Sequence, residues 1–129
     1  HNYYAVHYSQ TNMYCKVGVI MVDRSQMMRG TLEGCIIKII GQEETYGYDI
    51  VSRLKQYGFT DAKEGTIYPL LVRLEKKKLI TYIYKESPLG PKRKHYYLTA
   101  SGHAFLEEFR QVWNDVRDSV DKIMEGEIK

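Results

Sequence analysis

From residue 23 onward the apolar positions recur at two spacings, and the switch between them outlines the elements. In MMRGTLEGCIIKIIG, Leu32, Cys35, Ile36, Ile39 and Ile40 fall three and four apart, which predicts a first helix stopped by Gly41. TYGYDIVSRLKQYGF predicts a short second helix, with Thr45 as its cap, Tyr48, Ile50, Val51 and Leu54 turned toward a core, and an end near Gly58. Ile67, Leu70, Leu71 and Leu74 mark a third helix in GTIYPLLVRLEKKKLI. The pattern then becomes strand-like: LITYIYKE reads as one strand, SPLGPKRK as a turn-rich basic loop and HYYLT as the returning strand. A long final helix closes the chain, capped by Thr99 and striped by Phe105, Phe109, Val112, Trp113, Val116, Val120 and Ile123.

Pro69 stands inside the third of these patterns. In a helix interior a proline forfeits a hydrogen bond and clashes with the carbonyl four residues back, at about 3 kcal/mol, but near the first turn little is lost. The third helix is therefore expected to begin between Lys63 and Thr66, with Pro69 in its first turn or early in its second. Glu64, Gly65, Thr66 and Tyr68 then occupy its N-terminal end, where free amides and the helix dipole favour phosphate oxygens. Gly65, without a side chain, permits close approach of backbone to a ligand.

A length of 129 residues suits one domain with a single modest core. Net charge is only +3, too little to announce a polyanion partner, but its distribution is uneven. Between Lys63 and His95 the cations Lys63, Arg73, Lys76, Lys77, Lys78, Lys85, Lys92, Arg93 and Lys94 face only Glu64, Glu75 and Glu86. From Tyr96 onward acids outnumber bases. The organisation expected is an arm over residues 1–22, a helical and hairpin domain over 23–98, and a terminal helix with its tail over 99–129.

The arm, HNYYAVHYSQTNMYCKVGVIMV, is tyrosine-rich and almost uncharged. It is either a native N-terminal extension or sequence upstream of a natural start at Met21 or Met27. Cys15 and Cys35 lack metal-ligand or CxxC spacing, and Cys35 falls on an apolar helical face, so reduced thiols and a cytoplasmic location are expected. No apolar run approaches the roughly twenty residues that cross a bilayer. Neither a nucleophile motif, a Walker loop nor a dinucleotide fingerprint is present, and His95 and His103 stand without catalytic partners. His1 and His7, in the arm, are a weak basis for a metal site. No enzyme activity, cofactor or metal is expected.

Three helices followed by a hairpin with a cationic tip make the element order of a winged helix-turn-helix, a mainly α fold with a small β-hairpin. Its third helix enters the DNA major groove and its hairpin reaches the flanking backbone, and the basic segment covers those two parts. MRGTLEGCI, YGYDI, GTIYPLLVRLEKKKLI, GPKRKHYYLT and SGHAFLEEF, taken together and in this order, resemble the PadR family of transcriptional regulators over about residues 27–125.

That resemblance implies a homodimeric winged-helix repressor whose last helix packs against the first helix of a partner. It makes Thr66 and Tyr68 groove or phosphate contacts, Tyr46 and Tyr48 backbone contacts, and Lys92, Arg93 and Lys94 the wing cations. Gly65 and Arg73 complete the DNA-facing set. Where the family commonly has glycine after the third helix, this chain has Lys78; the left-handed cap then costs about 1 kcal/mol, or the turn differs. Drug-sensing members place a tryptophan of the last helix at the dimer centre against flat aromatic ligands. Trp113, with Phe109 and Val116 beside it on the stripe, is accordingly a dimer-packing anchor, the favoured reading, or part of a site for a small aromatic effector. Arg117, one turn on from Trp113, argues against a strong preference for cationic ligands.

The expected partner is double-stranded DNA carrying a pseudo-palindromic operator, with half-sites about 34 Å apart. The alternative function is that of a protein-interaction adaptor whose basic face meets an acidic partner.

Overall fold

Asp23 caps a short helix, α1 (Arg24–Arg29), its side chain accepting the Gln26 amide at 3.1 Å. A computed structural model describes residues 21–129. Beyond α1 come α2 (Leu32–Gln42), β1 (Thr45–Tyr46), α3 (Gly47–Gln56), α4 (Glu64–Lys76), β2 (Ile80–Ser87), β3 (Gly90–Leu98) and α5 (Ala100–Met124). The arm expected over residues 1–22, with Cys15, His1 and His7, lies almost wholly outside the described residues. No helix among those described is long and apolar enough to cross a membrane.

The first predicted helix is two helices. At Gly30 and Thr31 the chain turns, with the Thr31 amide and hydroxyl both donating to the Met28 carbonyl, at 2.9 and 2.7 Å. The second helix, α2, passes through Gly41 and ends one residue later, so Gly41 is not its stop. Gly41 instead lies under Leu98 of β3, where an added Cβ would approach Leu98 Cδ1 to 2.8 Å. Sequence periodicity put one face of this helix in the core, yet Ile37 is as fully buried as Ile36. The reason is position: α2 touches α3, β3 and α5 and is covered on several sides.

Leu54, Ile50, Ile67, Leu71, Leu74 and Ile80 complete the core around those isoleucines. Tyr48 does not join it; the residue is 61% exposed, because its place at the start of α3 points outward. Thr45 is buried in β1 and is not the cap of α3, which begins after Tyr46. The α3 helix ends at Gln56, near Gly58 as expected, and Gly58 takes a left-handed φ of +104°.

The sheet has the antiparallel order β1-β3-β2, with Thr45 opposite Tyr96 and Tyr82 opposite Tyr96 on its other side. Here the hairpin departs from expectation. Its turn is confined to Pro88 and Leu89, and Lys92, Arg93 and Lys94 are residues of β3, with Arg93 paired to Lys85 and Lys94 to Tyr84. Pro91 is tolerated because β1 reaches only as far as His95 along β3, leaving that stretch without a partner on one edge.

The α4 to β2 corner resolves the Lys78 question. Lys78 has φ at +62°, the left-handed conformation glycine would adopt without penalty. Its amide donates to the Glu75 carbonyl at 2.9 Å and that of Leu79 to the Leu74 carbonyl at 3.1 Å, the paired bonds of a Schellman cap. Thr99 docks α5 onto this corner, accepting the Gly102 amide at 3.0 Å.

Candidate nucleic-acid interface

Glu64 opens α4, and Pro69 sits early in the second turn, where it removes only the amide that would have reached the Gly65 carbonyl. One turn beyond Glu64, Tyr68 donates its hydroxyl to Glu64 Oε1 at 3.1 Å. The Tyr68 ring crosses the start of α3 at Gly47, where an added Cβ would stand 2.6 Å from Tyr68 Cε1. Gly47 is thus what lets α4 and α3 meet at this point.

Across from Tyr68 lies the wing. Arg93 stacks over the Tyr46 ring at 5.0 Å, and Tyr46 leans on His95 with ring centroids 5.4 Å apart. Lys94 lies 4.1 Å from the Tyr82 ring centre and 3.6 Å from Glu75 Oε1. Tyr46, Gly47, Tyr48, Glu64, Tyr68, Arg93, Lys94 and Tyr96 together line one open cleft between α3, α4 and β3. Burial, then the bond to Glu64, holds the Tyr68 phenol above its ordinary range. Burial, then the Glu75 charge, pushes Tyr96 up to about 12. Both phenols therefore stay neutral, as donors and apolar surfaces.

Of the residues expected at the interface, the structure brings Tyr46, Tyr48, Tyr68, Arg93 and Lys94 into this cleft. Gly65 is open, with nothing within 4 Å of an added Cβ. Thr66 lies on another side of α4 and lines a different cleft. Lys92 is exposed near the turn, 3.9 Å from Glu86. Arg73 is engaged elsewhere: its Nε donates to Glu33 of α2 at 2.8 Å.

The profile of the "Transcriptional regulator PadR-like family" matches residues 36–108, a span that includes the cleft and the wing. The chain belongs to this family. A solved PadR-like transcriptional regulator of Bacillus cereus is 52% identical, covering 79% of this chain and 99% of its own, with a TM-score of 0.73. A Streptococcus transcriptional regulator is 43% identical over 78% of this chain and 98% of its own, with a TM-score of 0.70. A Lysinibacillus sphaericus protein is 38% identical over 106 residues, which are 80% of this chain and 96% of that relative.

This PadR-like protein is thus a winged-helix, DNA-binding transcriptional regulator, and the family is one of regulators rather than enzymes. Among its described residues no cluster of three metal-binding side chains occurs. Sequence reasoning did not single out Gly47 or Tyr96 for the cleft. Both were legible in part: the YGY triplet puts a glycine between two tyrosines, and Tyr96 stands in the returning strand.

The other expected site lies on the last helix. Phe109 and Trp113 line an apolar hollow with Met27, Met28, Cys35 and Leu106, whereas Val116 lies beyond it on the outer stripe. Gly34 makes the hollow's floor, since a side chain there would enter the Phe109 ring. Cys35 is a free, half-buried thiol whose pKa burial raises. From Val112 to Ile123 the apolar positions Val112, Trp113, Val116, Val120 and Ile123 are all exposed.

Proposed function

We propose that the protein is a homodimeric repressor that reads a pseudo-palindromic operator with the N-terminal end of α4 and grips the adjacent backbone with β3. The observation that carries this reading is the cleft itself: exposed Tyr48 and Tyr68 and the Arg93 guanidinium converge around the first turn of α4. A helix entering a major groove presents its first residues to base edges, while flanking side chains meet phosphates. Tyr68 and Thr66 are the contacts of α4, Gly65 gives the approach, and Tyr46, Tyr48, Lys92, Arg93 and Lys94 meet backbone. Lys92 and Lys94 hold surface ion pairs worth at most about 1 kcal/mol each, which phosphates replace readily. Arg73, tied to Glu33, contributes to the field rather than to a contact.

Dimerisation is supported by the exposed stripe of α5, whose 3-4-3 spacing is that of a helix seam. Trp113 and Phe109 anchor that seam. The hollow beside them is the place for a flat aromatic effector, whose binding changes the separation of the two α4 helices and releases DNA.

Gel shift against the protein's own upstream region, at two salt concentrations, tests the reading. Retention of that duplex over random DNA is expected. Weak, sequence-blind binding abolished by salt would instead assign the basic face to an acidic protein partner.

A further inference from the structure

The cations of the described residues divide into paired and unpaired ones. Arg73 and Lys77 are held by Glu33, Lys85 by Glu44, Lys94 by Glu75 and Lys92 by Glu86. Arg24, Arg29, Lys55 and Lys63 are among the cations that enter no ion pair among the described residues, as are Lys38, Lys76, Lys78, Arg110, Lys122 and Lys129. The first twenty residues carry no Asp or Glu that could supply one. Arg24, Arg29, Lys55 and Lys63 are exposed, and these four line a single cleft between α1, the end of α3 and the start of α4. Asp61 is the one acid in its wall; Ser25, Thr60 and Thr66 add hydroxyls. Arg24 is fixed there by donating to the Gly58 carbonyl at 3.1 Å, so the cleft's edge is set by the left-handed turn after α3.

This cleft and the tyrosine cleft stand on opposite sides of one helix end. Glu64 and Tyr68 line the tyrosine cleft, while Lys63 and Thr66 line the cationic one. Thr66 follows Glu64 by two residues, about 200° around the helix. A helix lying in a major groove about 12 Å wide has a phosphate backbone on each side of it. In the proposed reading the wing and the tyrosine cleft serve one of those backbones.

We propose that the cleft of Arg24, Arg29, Lys55 and Lys63 is a second phosphate-binding site, which grips the DNA backbone on the side of α4 away from the wing. This rests on the DNA-binding reading above and extends it to α1 and the end of α3, which that reading leaves unused. Phosphodiesters and free phosphate anions share the chemistry such a cleft recognises, and the unpaired cations need no existing partner displaced to bind either.

The test compares the salt dependence of duplex binding for the wild type, Arg29→Ala/Lys63→Ala, Lys55→Ala and a control, Lys122→Ala on α5. The slope of log affinity against log salt should fall by about 0.9 for each phosphate no longer neutralised, so by about 1.8 in the double variant and about 0.9 in Lys55→Ala. It should be unchanged in Lys122→Ala, and the change should be equal on operator and random duplexes. Melting temperatures of the variants check that these exposed substitutions leave the fold intact. Calorimetric titration of pyrophosphate without DNA separates the two sources of anion. Unaltered slopes in variants that still bind DNA would overturn the proposal and leave the DNA-binding reading standing. Saturable pyrophosphate binding abolished in the double variant, with unaltered slopes, would assign the cleft to a free anion instead. A wild type that binds no duplex at low salt would remove both readings together.

Discussion

The Thr99 hydroxyl donates to the Lys78 carbonyl at 2.7 Å while accepting the Gly102 amide, so a single side chain joins the end of α4 to the start of α5. The Thr99 amide adds a bond to the Leu79 carbonyl at 3.1 Å. Lys78 is held in a conformation that suits glycine, and α5 is built on top of it.

Lys78→Gly should therefore stabilise the fold by about 1 kcal/mol, because glycine takes the left-handed conformation without a Cβ penalty. Urea unfolding followed by circular dichroism gives the number. A loss of stability would mean that the lysine charge at the α4 C-terminus outweighs the backbone term.

Thr99→Val should cost about 1–2 kcal/mol, since it removes the cap and both carbonyl contacts, while Thr99→Ser should change stability by less than about 0.5 kcal/mol. Gly102→Ala should cost about 2–3 kcal/mol, as its methyl would collide with the Leu79 carbonyl, which is backbone and cannot swing away. Thermal unfolding of the three variants orders them.

Tyr68→Phe should weaken operator binding about fivefold, the worth of about 1 kcal/mol for the hydroxyl that Glu64 holds in place. Random duplex should be bound as before. Fluorescence anisotropy with both duplexes measures the difference, and equal losses would demote Tyr68 to a backbone contact.

Val120→Glu should convert the proposed dimer to monomer, or raise its dissociation constant at least about tenfold, by placing a charge on the exposed stripe of α5. Light scattering after size exclusion reads the mass directly. An unchanged mass would move the dimer interface off the far half of α5.

Glu44 gives a pH dependence. Hydrogen bonds from Lys85 and then Tyr97 hold its carboxyl below the ordinary glutamate range, and Glu44 in turn holds Lys85 above the ordinary lysine range. The lowered carboxyl contributes stability that is present above the ordinary glutamate pKa and is lost as pH falls through the lowered value. The raised ammonium contributes stability below the ordinary lysine pKa, lost as pH rises through the raised one. Wild type should therefore exceed Glu44→Gln in stability on a plateau across neutral pH, with the gap closing at both extremes. Melting temperature against pH checks it, and a gap independent of pH would remove the ion pair as its cause.

Long helices with clear stripes were readable from sequence because period alone places their residues: α4 with Ile67, Leu71 and Leu74, and α5 with its apolar stripe, stand where the spacing put them. The Thr99 cap and the placement of Pro69 were readable for the same local reason. What sequence concealed depends on distant partners. β1 is two residues long, too short to alternate, and exists only because Tyr96 and His95 lie opposite. The wing cations look like a loop in sequence because glycine and prolines surround them, yet pairing with β2 draws them into a strand. Gly41 resembles a helix stop until Leu98 is seen above it.

The bracket formed at Lys78 and Thr99 has a mechanical meaning. The α5 helix has 25 residues, so it is about 37 Å long, and it is clamped at one end to α4, the helix proposed to read DNA. A tilt of about 10° at that joint displaces the far end by about 6 Å, and the same lever works in reverse. In the proposed dimer, a rearrangement along α5 would be geared down, through the contacts of Thr99 with Lys78, Leu79 and Gly102, into a small, directed rotation of α4.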